Sequence, residues 1–113
     1  MTKSDFQSPS SLRVLLSSCP VANASSIARA LIEEQLAACV QILPPMQSVY
    51  AWEGEVASDE EQLLLIKTPR ACVSRLTERL LELHPYDVPE VLVIEPTGAL
   101  AIYERWAKDV TNS

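Results

Sequence analysis

The chain has 113 residues, 48% of them hydrophobic, and its 15 acidic side chains outnumber 9 basic ones to give a net charge of −6. A surface of that sign repels phosphate backbones, which argues against nucleic acid as a partner. The length suits one domain with one core, and every apolar run is far shorter than the roughly 20 residues that cross a bilayer, so no membrane partner is expected.

The chain begins with patterns for a polar tail, a strand and a helix. Residues 1–11 lack the apolar core of a signal peptide and are predicted to be a flexible tail. Residues 12–17 are a short apolar run that predicts a strand, and residues 18–20 are predicted to end it and open a loop. Apolar side chains at helical spacing then predict a helix over 23–37.

The middle of the chain predicts further strands. Residues 38–53 are predicted as one long strand that is bent at the proline pair 44–45, because proline cannot donate a ladder hydrogen bond. Gly54 allows a turn, and the acidic residues 59–61 are predicted as a solvated loop. The apolar run over 62–68 predicts the next strand.

The last part of the chain predicts a helix, a strand and a second helix. Thr68 is the predicted cap and Pro69 suits the first turn of the helix, whose apolar stripe continues to the segment 83–90. That segment holds the single histidine and two prolines, so it is predicted to be stiff and extended. A strand over 91–95 and a helix over 99–108 follow.

This order of elements predicts an α+β fold. It is the ferredoxin-like β-α-β-β-α-β sandwich with an additional C-terminal helix, in two layers with both main helices on one face of an antiparallel sheet. We expect a single domain over residues 12–109 and a short polar tail over 110–113.

Two of the predicted strands carry information about assembly. Residues 63–66 and 91–94 are apolar at every position, a pattern typical of strands buried on both faces. Two helices cover one face of a sheet, and the single additional helix is too small to cover the other. We therefore predict an obligate homo-oligomer that packs through its sheets, because a large exposed apolar patch is a solubility liability.

Cysteine and glycine usage narrows the possible functions. The three cysteines are odd in number and widely spaced, and no CxxC pair occurs, which argues against a disulfide framework and the usual zinc or thioredoxin motifs. The two glycines, Gly54 and Gly98, are too few for a Rossmann fingerprint or a P-loop. We expect reduced thiols and a cytoplasmic location.

Four short sequences, in the same order along the chain, resemble the CutA family of divalent-ion-tolerance proteins of the bacterial type, and the resemblance runs from about Leu12 to Trp106. They are LAACV at 36–40, YAWEG at 50–54, LLIKT at 64–68 and HPYDVPE at 84–90. The resemblance implies a ferredoxin-like subunit in a very stable homotrimer, built by long strands that reach between subunits. It also implies binding of copper or other divalent cations and a link to metal tolerance. The resemblance establishes no catalytic activity, so we do not expect an enzyme.

The candidate metal ligands are His84 and Cys19. The resemblance implies copper ligands at the end of the first strand and at two adjacent histidines before Pro-Tyr. Here Ser17 occupies the strand-end position, with Cys19 two residues further on, and Leu83 replaces the first histidine. Imidazole suits copper, zinc and nickel, and a thiolate suits Cu(I). The alternatives are a hydrogen-bonded loop histidine and a cysteine that only fills space.

The sequence also leaves two rival functions to consider. One is a trimeric signalling or scaffold module similar in fold to the PII proteins, binding a small anion or a protein in clefts between subunits near Lys67, Tyr86 and Glu90. The other is a hydrolase such as an acylphosphatase, which needs a phosphate-cradling loop that this glycine-poor chain lacks. A Cys-His nucleophilic dyad is also disfavoured, since no orienting group or oxyanion site is evident.

Overall fold

The computed structural model describes residues 2–113 and confirms the α+β prediction. A short 3₁₀ turn, Arg70–Cys72, precedes the second helix. The strands and helices in chain order are β1 Phe6–Gln7, β2 Leu12–Pro20, α1 Val21–Glu33, β3 Cys39–Ile42, β4 Met46–Trp52, β5 Glu55–Pro69, α2 Val73–Leu83, β6 Leu92–Ile94, β7 Ala99–Leu100 and α3 Ala101–Asp109.

The main sheet has the antiparallel order β3-β5-β2-β6, and β4 pairs with the first half of β5. Helices α1 and α2 pack on one face of this sheet. The core between them is made of fully buried apolar side chains from both layers, among them Leu15, Ile27, Leu31, Ile66 and Leu80. This is the ferredoxin-like sandwich that the order of predicted elements indicates.

The first main strand is longer than its apolar run. β2 pairs with β5 along its whole length, from Leu12 opposite Pro69 to Pro20 opposite Glu61. Side chains alternate between the two faces, so Leu15, Ser17 and Cys19 are buried toward the helices. The prediction of a loop at 18–20 is wrong, because ladder pairing with β5 keeps these polar residues in the strand.

The acidic segment 59–61 is also in a strand, not in a solvated loop. β5 runs unbroken for 15 residues and pairs with β4 and β3 in turn, on either side of the proline pair 44–45. The prediction of one long interrupted strand over 38–53 is therefore confirmed. Cross-strand pairing with β4 and β2 overrides the low strand propensity of the acidic residues 59–61.

A hairpin of β4 and β5 projects from the sheet. Trp52 pairs with Glu55, so the turn has two residues, Glu53 at φ 50° and Gly54 at φ 80°, as in a type I′ turn. The chain measures 52 × 25 × 23 Å with a radius of gyration of 15.3 Å. A compact chain of this length has a radius of about 13 Å, so the hairpin is an arm that the domain core does not surround.

The N-terminal segment is ordered where a flexible tail was expected. β1 pairs with β7, and both Ser10 Oγ and the Ser11 backbone N–H donate to Glu104 Oε1 at 2.6 and 2.7 Å. Glu104 lies in the first turn of α3 and is 4% exposed. A buried carboxylate needs donors, and the residues before β2 supply them.

The second helix begins later than predicted. Thr68 does not cap it; its hydroxyl donates to the Leu36 carbonyl oxygen at 2.7 Å, and Pro69 remains extended as the end of β5. The chain then enters α2 through the 3₁₀ turn, with no side-chain cap. Thr68 therefore ties β5 to the loop after α1.

One face of the sheet remains apolar and partly exposed. Leu16 lies between Leu65 of β5 and Leu92 of β6, and this row points away from the helices because Leu15 and Ile66 point toward them. On this face, Leu92 and Ile94 of β6 are 53% and 46% exposed. Within residues 2–113, no helix is long and apolar enough to span a membrane.

Candidate ligand-binding cleft

The segment after α2 is held against the end of β2 by two side chains. Pairing of β2 with β6 covers Val14–Leu16, and at Ser18 side chains replace the missing strand partner. His84 Nε2 donates to the Ser18 carbonyl oxygen at 2.8 Å, and Glu90 Oε1 accepts from the Ser18 backbone N–H at 3.0 Å. Both exposed backbone groups of Ser18 are thereby satisfied.

Both nitrogens of the His84 ring are hydrogen-bonded in this arrangement. A carbonyl oxygen only accepts, so Nε2 carries the proton, while Nδ1 accepts from the Tyr86 backbone N–H at 3.2 Å. The ring also packs against the Tyr86 ring at a centroid distance of 4.8 Å, and His84 is 6% exposed. Both ring nitrogens are thus engaged in bonds that shape the loop.

Cys19 lies in β2, two residues after Ser17, and is fully buried in the helix-facing core. Burial, and then the nearby charge of Glu61, raise the pKa of the Cys19 thiol above its ordinary value. A metal ligand must be the thiolate, which this environment disfavours. Cys72 is likewise buried and Cys39 is half-buried, and all three thiols are free.

The donor set of one chain does not form a ready metal site. Among residues 2–113, no group of three His, Cys, Asp or Glu side chains converges as metal ligands. His84 has both nitrogens in use, Cys19 is held as a buried thiol, and the Ser17 hydroxyl is buried without a hydrogen-bond partner. The assignment of His84 and Cys19 as metal ligands therefore rests on residue type alone.

A cleft of about 520 Å³ lies between the projecting hairpin and the segment after α2. This size is within the range of roughly 300 to 1,000 Å³ typical of small-molecule sites. Its lining is aromatic and acidic, and consists of Ser18, Ser48, Tyr50, Trp52, Glu61, Pro85, Tyr86, Asp87, Val88 and Glu90.

Two phenol–carboxylate pairs organise the wall that β5 contributes. The Tyr86 hydroxyl donates to Glu61 Oε2 at 2.7 Å, and the Tyr50 hydroxyl donates to Asp59. Asp59 and Glu61 are two residues apart in β5, so their side chains lie on the same face of the strand. The hairpin and the loop therefore meet at neighbouring carboxylates.

The electrostatics of the cleft are one-sided. Burial, then the hydrogen bond and charge of Glu61, raise the pKa of Tyr86 well above its usual value, so its phenol stays protonated. Glu61, Asp87 and Glu90 line the cleft, and no lysine, arginine or histidine among residues 2–113 does. The lining therefore presents negative charge without a basic counterpart.

Lys67 and Arg29 both lie outside the cleft. Lys67 is half-buried in the sheet, paired between Val14 and Cys39. Arg29 lines a separate groove of about 340 Å³ between α1 and β3. Neither contributes to the cleft.

Sequence patterns identified part of this cleft and missed the rest. Tyr50, Trp52 and Tyr86 lie in two of the sequences that carry the family resemblance, YAWEG and HPYDVPE. Glu61 was missed, because an acidic triplet next to a strand looks like a loop. Its signal is the period of two in β5, which places Asp59 and Glu61 on one face.

Comparison with known proteins agrees with this fold. Residues 13–110 match the model of the CutA1 divalent ion tolerance protein family. The chain is 46% identical over 89 residues to the divalent-cation tolerance protein CutA of Thermus thermophilus, covering 79% of this chain and 86% of that protein. It is also 46% identical over 87 residues to the chloroplastic CutA protein of Arabidopsis thaliana, covering 77% of this chain and 48% of that protein, so it spans about half of that relative's length.

A solved structure shows the same likeness. The PII-like protein CutA of Nostoc sp. PCC 7120, in its apo form, superposes with a TM-score of 0.84 at 38% identity, covering 88% of this chain and 97% of that one. The family model spans most of the residues that build both the sheet and the cleft. The chain therefore belongs to the CutA1 divalent ion tolerance family.

Proposed function

We propose that this chain is one subunit of a homotrimer that serves divalent-ion tolerance by binding, without catalysis. The observation that carries the proposal is the apolar sheet face on the side away from the helices. The names of the relatives supply the link to divalent cations. We further propose a cytoplasmic location, which the three free cysteines support, since disulfides are rare in that compartment.

The sheet face favours assembly on energetic grounds. The row formed by Leu65, Leu16 and Leu92 crosses three strands, and Ile94, which pairs with Val14 on the same face, is 46% exposed beside it. Burying one such side chain fully contributes about 1.5 to 3 kcal/mol, so a partner that covers several of them gains substantial free energy. The projecting hairpin, whose Trp52 is 49% exposed, is placed to extend the contact.

The assembly is tested with Leu92→Asp, which places a charge on the sheet face. The matched control is Leu81→Asp, because Leu81 is 49% exposed on α2, outside the sheet. We expect native mass spectrometry at micromolar concentration to give trimers for the parent and for Leu81→Asp, and monomers for Leu92→Asp. A parent protein that is monomeric under these conditions would contradict the proposal.

Copper, or another divalent cation, is the ion class that we propose, with His84 and Cys19 as the ligand hypothesis. The part of the chain that the structure describes has no preformed site, so a tight site needs donors from a second subunit or release of His84 from Tyr86 and Ser18. Calorimetric titration of the parent, His84→Ala and Cys19→Ser with Cu(I), Cu(II) and Zn(II) tests this. Stoichiometric binding that both substitutions leave unchanged would remove these two residues as ligands.

The second candidate function is a PII-like module that binds a small molecule. The specific observation in its favour is the cleft of about 520 Å³, which one chain forms by itself. The cleft of one chain does not suit an anion, because its lining within residues 2–113 has three carboxylates and no basic residue, whereas an anion or protein bound between subunits stays a prediction. The charge of the cleft indicates the opposite class of ligand.

A further inference from the structure

We propose that Lys67 of one subunit places its ammonium group in the carboxylate-lined cleft of the neighbouring subunit and pairs there with Glu61. The inference rests on the proposed homotrimer and deepens it, because it names the residue through which a second copy completes the cleft. The hairpin and the segment after α2 supply the walls of the cleft. The neighbouring copy supplies the cation that the lining within residues 2–113 does not contain.

Lys67 lies on the sheet face that we propose as the subunit interface. Ile66 is buried toward the helices, and successive side chains of a strand alternate between the two faces, so Lys67 points the other way. Its cross-strand neighbours are Val14 and Cys39, and it forms no ion pair within residues 2–113. Assembly through this face buries the ammonium group, which is costly unless a carboxylate meets it.

Glu61 is a carboxylate with the matching requirement. It is 5% exposed and accepts one hydrogen bond, from the Tyr86 hydroxyl. The cations of the ion pairs within residues 2–113 are Arg13 and Arg79, and neither of them pairs with Glu61. A buried carboxylate without a cation is costly, so a lysine that enters the cleft supplies the missing partner.

The two residues are too far apart to pair within one chain. Both lie on the same face of the unbroken strand β5, and six residues of extended strand separate them by about 20 Å. Opposite charges at two distant points of one face are complementary to a second copy that docks head to tail. Around a threefold axis this arrangement closes into a ring, in which every Lys67 meets one Glu61.

The aromatic walls of the cleft suit the stem of a lysine. Tyr50 and Trp52 of the hairpin line the cleft and are 40% and 49% exposed in one chain. Lysine packs its methylene groups along apolar surface, and ammonium groups are attracted to the faces of Tyr and Trp rings. The exposed rings of the hairpin therefore contribute to the same subunit boundary as the ion pair.

Few other basic residues compete with Lys67 for this position. Arg13 is the other basic residue of the main sheet, and it already pairs with Glu95. Helices α1 and α2 carry their arginines on the opposite side of the sheet. The exposed Arg105 is the main competitor, because its helix α3 packs on Leu12 at the end of the same sheet face.

The test measures how fast unlabelled and heavy-isotope-labelled trimers exchange subunits, with native mass spectrometry as the readout. Lys67→Met and Glu61→Gln are measured singly and together. One control cycle combines Lys67→Met with Glu78→Gln, which changes an exposed glutamate on α2, and the other combines Glu61→Gln with Arg105→Gln. Circular dichroism verifies that each variant folds.

We expect Lys67→Met and Glu61→Gln each to speed subunit exchange at least tenfold, because each leaves the opposite charge buried without its partner. The double variant should exchange no faster than either single variant. In both control cycles the effects of the single substitutions should multiply, as they do for residues that are not in contact.

Carbodiimide cross-linking of the unsubstituted trimer tests the same contact without any substitution. The reagent joins an amine to a carboxylate that it touches, so we expect a link between Lys67 and Glu61. In trimers that mix labelled and unlabelled chains, linked peptides of mixed isotope content identify the link as one between chains.

The pairing is overturned if the effects of Lys67→Met and Glu61→Gln multiply like those of the controls. It is also overturned if Lys67 is cross-linked to a different carboxylate, or if Arg105→Gln shows the coupling to Glu61→Gln instead. These results are obtained on a trimer and leave the homotrimer in place. A monomeric parent protein contradicts the homotrimer itself, so the two failures are distinct.

Discussion

The Tyr86 hydroxyl donates to the buried carboxylate of Glu61 at 2.7 Å and joins the segment after α2 to the middle of β5. The two residues are 25 positions apart, and the strand that contains Glu61 also pairs with the hairpin strand β4. This single bond therefore connects both walls of the cleft. It supplies the donor that the charge of Glu61 requires.

Tyr86→Phe should destabilise the protein by about 1 to 2 kcal/mol, because it leaves Glu61 buried without its donor. The expected loss lies in the lower half of the range known for buried groups left without a hydrogen bond, because Tyr86 itself is 36% exposed. Guanidinium unfolding at pH 7 measures the change. Tyr103→Phe is the control, because the Tyr103 hydroxyl makes no hydrogen bond within residues 2–113. Equal effects of the two substitutions would contradict a special role for the Tyr86–Glu61 bond.

Glu104 should make stability depend on acid pH. Burial alone would raise the pKa of Glu104, but the hydrogen bonds from Ser10 and Ser11 outweigh it and hold that pKa below the usual 4.5. The folded state thus favours the charged form, so this contribution is fully present above pH 4.5 and is lost as the pH falls through the lower pKa of the folded state.

Glu104→Gln should therefore cost about 1.5 to 3 kcal/mol at pH 7 and flatten the acid side of the stability profile. Unfolding free energies at several pH values from 7 down to 3, at constant ionic strength, measure both effects. Glu78→Gln, an exposed glutamate on α2, should leave the profile unchanged. A parent-like acid slope in Glu104→Gln would show that other carboxylates control it.

Truncation of Leu80 should destabilise the core between α2 and the sheet. Leu80→Ala removes a fully buried side chain from the main cluster, and such changes cost about 2 to 5 kcal/mol through lost burial and a residual cavity. Leu81→Ala, the next residue and 49% exposed, should cost less than about 1 kcal/mol. Chemical denaturation of both variants compares them. Similar losses would mean that the α2 face packs differently.

His84 should stabilise the loop whether or not a metal is present. His84→Ala removes the bond to the Ser18 carbonyl oxygen and the acceptor of the Tyr86 N–H, which leaves both backbone groups without partners. We expect a loss of about 1 to 3 kcal/mol and faster hydrogen exchange at the Tyr86 amide in metal-free protein. Unchanged exchange without metal, with protection that appears only on adding copper, would instead assign His84 to metal binding.

The sequence predicted the order of the elements and the family, because both depend on local patterns. Apolar residues at helical spacing identify α1 and α2, and an apolar run identifies the second half of β5. The interrupted edge strand was also predictable, since prolines 44–45 disrupt a ladder wherever they occur.

The tertiary structure alone decided the features that depend on contacts between residues distant in sequence. Glu61 belongs to a strand because β2 and β4 both pair with β5, and Ser10 is ordered because Glu104 needs donors. The cleft arises where the hairpin meets the segment after α2, and no local pattern shows that Glu61 and Tyr86 meet. Local propensity is a weak preference per residue, whereas pairing and the cost of a buried charge are decided by the whole fold.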